Sequence, residues 1–287
     1  MSELILVCPY HKPLIDKLRQ RAIVIRTNDC NLIRPILHTV NKSNKLHAIK
    51  IETDTPASKI PFDDDWKRIP IALYTSRLGS FKAFVHKLAL LRQLNIKIFL
   101  SSGEEENYLN LCILSSLRIA CGVYFSEPPV NWERMNDLMH YAVYSRTIHA
   151  PIEPFYYVVS NFEGEKQVDY ASVYFDNPLR YIHINEKEQI AATSKDLEAC
   201  SYLAEGVSSI DSLETSTQYR KYINNWQDFF IERRACSFCP AWRICMGKFR
   251  EEAEQNEGCR VFFRDLMDAA DYYRLQFSQD GKKVWQS

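Results

Sequence analysis

The chain has 287 residues, 46% apolar and 25% charged, with 36 acidic and 36 basic side chains. That composition suits a soluble globular protein with a real core, and a formal net charge of zero gives no electrostatic reason to expect nucleic acid or an anionic membrane as partner. The length suggests one large domain plus an appendage, on a prior of roughly 100 to 200 residues per domain.

The opening stretch, MSELILVCPYHKPLIDKL, has a short apolar patch soon interrupted by Pro9, His11 and Lys12, and does not read as an export leader. Nowhere does an apolar run approach the roughly 18 residues of a membrane span. A cytoplasmic location is therefore expected. There nine cysteines stay reduced, and clustered thiols point to metal rather than to disulfides.

AIVIRTN, residues 22–28, is an apolar, β-branched run that predicts a strand, and Asp29, Cys30 and Asn31 follow it at once. KLHAIKIETD alternates with period two over 45–54, and IPIALYTS over 69–76 predicts a buried strand. Phe81, Phe84, Leu88, Leu91 and Leu94 recur at helical spacing, and IKIFLSS from 96 to 102 predicts the next strand. A helix over Asn107–Ala120, a strand VYFSE at 123–127, and a helix NWERMNDLMHYAVYS after the Pro128-Pro129 break continue the pattern. Strands alternating with helices of this length imply parallel βαβ units, hence an α/β sheet or a partial barrel.

The alternation stops near Thr147. HAPIEPFYYVVSNF reads as a proline-rich connection and then a β-rich segment, and RYIHINEKEQIAATS has the composition of a hairpin. A domain boundary is placed at Asn177 and Pro178, dividing the chain into 1–177 and 178–287. Beyond it, a polar turn leads into a helix over about 210–234, and VFFRDLMDAADYYRLQF predicts a closing amphipathic helix. Between the two lie Cys236, Cys239, Cys245 and Cys259, separated by two, five and thirteen residues. A C-x-x-C turn can aim two sulfurs at one centre, and two further thiolates complete the four-sulfur shell that zinc or an iron-sulfur cluster needs. The plainer reading is four buried, reduced cysteines that bind nothing.

This cysteine run, with the hairpin and helix before it, resembles the SPASM domain, the auxiliary-cluster module at the C-terminus of radical SAM peptide maturases. The resemblance implies one four-iron four-sulfur cluster held by Cys236, Cys239, Cys245 and Cys259, since the position of the additional family cysteine is Phe249. TNDCNLIRPIL resembles the T-x-x-C-N-L-x-C-x-x-C motif of the same enzymes at Thr27, Cys30, Asn31 and Leu32, with Arg34 and Leu37 in place of two cluster cysteines. Where the family's G-G-E-P turn is expected, IALYTSRLGS offers Thr75, Ser76, Arg77 and Leu78.

The chain is thus similar to a pseudo-radical-SAM protein with a SPASM tail. The resemblance implies a degenerate partial (β/α) barrel and a small α+β domain, without S-adenosylmethionine binding or radical chemistry. It also implies a non-catalytic role in ribosomal peptide maturation, with a precursor peptide or a peptide-modifying enzyme as partner. Strand edges exposed by an incomplete barrel would suit peptide capture by strand addition. Two other readings stand beside it: new chemistry in the barrel mouth that uses the tail cluster for electron transfer, and a zinc-stabilised structural protein.

Elsewhere, Glu104, Glu105 and Glu106 read as a helix start that complements the dipole, and His140 as a core or surface histidine. His149 and Glu153 carry the residue types of an acid-base pair without an assured common face. Trp242, Phe249, Phe262 and Phe263 would exclude solvent from a cluster or pack the small domain.

Overall fold

The computed structural model describes residues 4–40, 44–125, 130–164, 166–232, 235–249 and 257–280. Ten strands form one sheet: β1 (Ile5–Pro9), β2 (Ala22–Thr27), β3 (Lys45–Thr53), β4 (Ile71–Thr75), β5 (Ile96–Ser101), β6 (Cys121–Tyr124), β7 (Ile152–Glu153), β8 (Tyr181–Ile184), β9 (Gln189–Ala191) and β10 (Ala204–Glu205). The spatial order is β10-β9-β8-β1-β2-β3-β4-β5-β6-β7. From β8 through β1 to β7 every pairing is parallel, and β8, β9 and β10 pair antiparallel.

Sequential parallel strands wound in one direction bring their right-handed crossovers to one face of the sheet, and the packing follows that rule. Ile23, Ile25, Ile49, Ile51, Leu73, Ile98 and Leu100 join the main core together with helix residues such as Ile36, Leu111, Met135 and Phe262. The strand residues of opposite parity form only small clusters, one around Val7, Val24 and Ala48 and one of Ala72, Tyr74 and Phe99. This second face is open to polar groups. Across it run the register rows Lys50–Ala72–Lys97 and Glu52–Tyr74–Phe99–Gly122–Glu153. Gly122 keeps the second row close, because a Cβ there would lie 2.6 Å from the Phe99 ring and 2.9 Å from the Glu153 Cβ.

The helices that follow the strands are α1 (Lys12–Lys17), α2 (Ile33–Val40), the short pair α3 (Phe81–Val85) and α4 (Leu88–Leu91), α5 (Glu105–Ser116), α6 (Trp132–Tyr144) and α7 (Phe155–Asn161). After the hairpin come α8 (Ser194–Glu198), α9 (Thr217–Asn224), α10 (Trp226–Ile231), α11 (Trp242–Cys245) and the long α12 (Gly258–Asp280), which packs on α6 and α7.

Two expectations need correction, and one strand was not expected. The segment FYYVVSN is helical where a β-rich stretch was expected: Phe155, Val158, Val159 and Phe162 are buried at helical spacing, and that period outweighs the β-branched composition. The short apolar run ILVCP is strand β1, paired with β2 on one side and β8 on the other. The sheet edges are the two-residue strands β7 and β10, too short to template an added strand of useful length. The last residues of the expected VYFSE strand and the Pro128-Pro129 break lie outside the described residues. The hairpin β8–β9 extends the sheet at β1, so the sheet continues past the boundary placed at 177/178.

Candidate functional site

The cysteine run is shaped by backbone that leaves its sulfurs little choice of direction. A 3₁₀ turn over Ala235–Phe238 carries Cys236, and the Cys239 amide donates to the Cys236 carbonyl at 3.1 Å, closing the C-x-x-C turn. Cys245 ends α11, and the chain then turns through left-handed Met246 (φ 53°) and Gly247 (φ 72°). The Gly247 amide thereby donates to Cys245 Sγ at 3.4 Å. Glycine is required twice over, by its φ and because a Cβ would meet the Trp242 ring at 2.6 Å. Cys259 enters from the first turn of α12.

Cys236, Cys245 and Cys259 are buried, Cys239 is half-buried, and none of the nine cysteines is in a disulfide. Burial pushes the Cys245 thiol up to about 12, the Gly247 amide works against this, and the charges of Cys239, Cys236 and Cys259 raise it further. The other three thiols of the run are thus near enough for their charges to reach Cys245. Among the described residues no three His, Cys, Asp or Glu side chains stand in a formed metal-holding group. The donor chemistry nevertheless fits a thiophilic metal: four sulfurs, one amide aimed at sulfur, and an aromatic flank. A bound metal would replace the proton that burial now holds on Cys245.

That flank joins the tail to the sheet. Phe249 meets Phe125 at 4.8 Å, Trp132 at 4.9 Å and Phe263 at 5.6 Å, and Phe262 lies 5.4 Å from Trp132. Trp242 instead meets Phe230 at 5.5 Å. Lys248, beside Phe249, pairs with the buried Asp169 at 3.1 Å.

The turn Met246–Phe249 also forms one wall of a groove of about 1350 Å³ that crosses the open face of the sheet. Its floor includes Lys50, Glu52 and Tyr74, and its mouth includes Asn28, Thr53–Thr55, Tyr124 and Phe125 at the C-terminal ends of β2, β3 and β6. Sites of α/β proteins lie at this end of the strands, because loops there vary without disturbing the sheet. Asp176, on the same groove, accepts from the Ser194 amide at 2.8 Å and lies 3.1 Å from Nε2 of the fully buried His183. Burial alone would raise its pKa, but the His183 hydrogen bond and charge and the Ser194 amide together hold it at about 2.

A group held below its unfolded pKa stabilises the fold above that value, and the contribution is lost as pH falls through the folded pKa. The fold should thus lose about 2 kcal/mol between pH 4 and pH 2 through Asp176 alone. Asp176→Asn should flatten that part of a pH series of urea denaturation midpoints.

Cys30 opens a 3₁₀ turn after β2, where Asp29 accepts from the Asn31 amide at 2.8 Å and Thr27 Oγ1 accepts from the Asp29 amide at 3.1 Å. Its thiol is pushed up to about 11 by burial and by the Asp29 charge. Arg34 does not project into a poorly solvated site. Its side chain is 72% exposed and pairs with Asp65 at 2.8 Å. Leu37 packs half-buried against the core.

The strand next to β2 in both chain and sheet is β3, which runs out into Thr53-Asp54-Thr55-Pro56, and Thr75–Leu78 lies one strand further on, at the end of β4. Neither segment holds a glycine.

Glu105 pairs with Arg134 at 2.6 Å in the first turn of α5, as a dipole-complementing helix start. His149 and Glu153 are both buried but held separately: His149 Nδ1 contacts Ser115 Oγ at 3.0 Å, while Glu153 takes Lys97 and the Tyr157 amide. His140 is exposed on α6 beside Tyr144.

Sequence reasoning missed Lys50, Glu52, Tyr74, Asp176 and His183. The available signal was the alternation in β3, which sets Ala48, Lys50 and Glu52 opposite Ile49 and Ile51. A parallel strand covered on both faces would carry no such charges. No protein-family model, no curated protein and no solved structure matches this chain.

Proposed function

We propose that this chain is a non-catalytic, iron-sulfur-binding member of a peptide-maturation system, a degenerate radical-SAM-like barrel with a SPASM-like tail. In this reading Cys236, Cys239, Cys245 and Cys259 hold one four-iron four-sulfur cluster, and the groove receives a segment of a precursor peptide. The observation that carries it is the continuity of the two features: the turn that aims an amide at Cys245 Sγ is also a wall of the groove. At about 1350 Å³ the groove exceeds the roughly 300–1,000 Å³ of small-molecule pockets, which favours an extended occupant. The two-residue sheet edges leave the groove, rather than strand addition, as the place for it.

Zinc is the alternative occupant of the same four-sulfur shell. Peptide-modifying enzymes are the expected second partner. Association with the precursor peptide and enzymes encoded beside this chain is the direct test, and failure to retain any of them would refute the scaffold reading.

The barrel should not bind S-adenosylmethionine. Of the three thiolates a catalytic cluster needs, only Cys30 is present; Arg34 is engaged with Asp65 and Leu37 with the core. Calorimetry with S-adenosylmethionine on the reconstituted protein should show no heat, and an assay for 5'-deoxyadenosine should show no product. Micromolar binding or reductant-dependent cleavage would make the chain an active radical enzyme.

A further inference from the structure

The open face of the sheet carries an arginine that the fold leaves without a partner. Arg26 is the register partner of Lys50 and has the parity of Val24, so it stands on the open face at the C-terminal end of β2. Lys50 and, two residues along from Arg26, Asn28 both line the groove. The Arg26 side chain is half-buried, and its Nε is closed to solvent with no hydrogen-bond partner. Its two terminal nitrogens have no partner among the described residues either, but they reach solvent. The guanidinium thus keeps its stem side in the protein and presents its two-pronged edge at the β2 side of the groove.

The carboxylates of this face are engaged elsewhere. Glu52 is matched by Lys50 at 2.8 Å, Glu153 by Lys97, and Asp169 by Lys248 at 3.1 Å. Asp176 is taken by His183 and the Ser194 amide, and Asp196 accepts from the Tyr222 hydroxyl at 2.8 Å. Asp54 has no ion pair among the described residues, but it lies four residues beyond Lys50, about 13 Å further along at the usual strand rise. A guanidinium half withdrawn from water without a counter-charge costs the fold stability, and an oxyanion ligand offsets that cost. Among the groups a peptide carries, a carboxylate suits the fork best, because its two oxygens match two parallel N–H donors. Asn28 is exposed and adds an amide donor on the same face. Lys195 of α8, also in the groove and without an ion pair among the described residues, adds positive charge.

We infer that the β2 side of the groove, at Arg26 and Asn28, is a subsite for a carboxylate of the bound peptide, either an acidic side chain or the C-terminal carboxylate. The inference rests on the peptide reading above and narrows it to segments with a carboxylate to place there. The two terminal nitrogens of Arg26 donate to the two carboxylate oxygens. A basic or purely apolar segment would leave the guanidinium unpaired.

The test is affinity selection on the full-length reconstituted chain from two pools of randomised octapeptides, one with free and one with amidated C-termini, followed by sequencing of the retained fraction. Aspartate and glutamate enriched about threefold or more at one position in both pools would assign the site to a side chain. Preferential retention of the free-acid pool by the same margin would assign it to the C-terminus. Arg26→Met should abolish whichever preference is found, and Arg26→Lys should keep only part of it, since an ammonium lacks the fork. Without peptide, the Arg26→Met protein should melt no lower than the native chain, because the charge it removes has no partner to lose. Retention of peptides with neither preference, a preference that survives Arg26→Met, or a lower melting temperature of that variant would overturn the subsite and leave the peptide reading standing. Retention of no peptide at all would overturn both.

Discussion

If Cys245 is a ligand of the proposed cluster, replacing it by alanine is expected to leave the protein without metal and to unfold the tail. The thiol is buried, receives the Gly247 amide, and feels the charges of the other three cysteines. Binding energy at a structural four-thiolate site is largely folding energy, about 10–16 kcal/mol for zinc in small domains. Loss of one ligand should therefore remove more stability than an ordinary core truncation. Metal analysis should show an empty protein, and limited proteolysis should cut beyond β10 while the sheet survives.

Cys236→Ala, Cys239→Ala and Cys259→Ala should do the same. Cys200 is exposed, and Cys112 and Cys121 belong to α5 and β6, so alanine at these positions should leave the metal in place. Loss of metal from Cys200→Ala would mean that the ligand set is wrong.

Phe249→Ala is expected to have the second largest effect, through packing instead of ligation. Its ring joins Phe125 after β6, Trp132 of α6 and Phe263 of α12 in one aromatic group. Truncating a large aromatic side chain costs about 3–5 kcal/mol in a closed core, and the half-buried position of Phe249 favours the lower end. At about 3 kcal/mol the melting temperature of a chain of this length should fall by about 5 °C. Phe238, by contrast, is 72% exposed within the same cysteine run, and Phe238→Ser should stay within about 0.5 kcal/mol. Thermal denaturation of the two variants side by side separates a packing role from a general sensitivity of the segment.

What could be read in advance divides along the range of the interactions involved. The strands β2, β3, β4 and β5 were legible because Ile23, Ile25, Ile49, Ile51 and their neighbours sit in apolar or alternating runs whose meaning is local. The cysteine set was legible for the same reason, since two-, five- and thirteen-residue gaps are a property of one short stretch. FYYVVSN was misread because Phe and Val favour strands in isolation, whereas burial of its 3-4 stripe against α12 decides for helix.

The groove was not legible at all. Its floor comes from β3 and β4, its walls from residues near 170, 194, 222 and 247, and parallel pairing between distant strands brings them together. The charges in KLHAIKIETD were the one local trace of it. They mark the face of the sheet turned away from the main core.

The most direct test of the account is the iron and acid-labile sulfide content of anaerobically purified, full-length protein. One cluster on Cys236, Cys239, Cys245 and Cys259 predicts about four irons and four sulfides per chain and a brown solution. A colourless protein with one zinc, or with no iron after reconstitution, would contradict it.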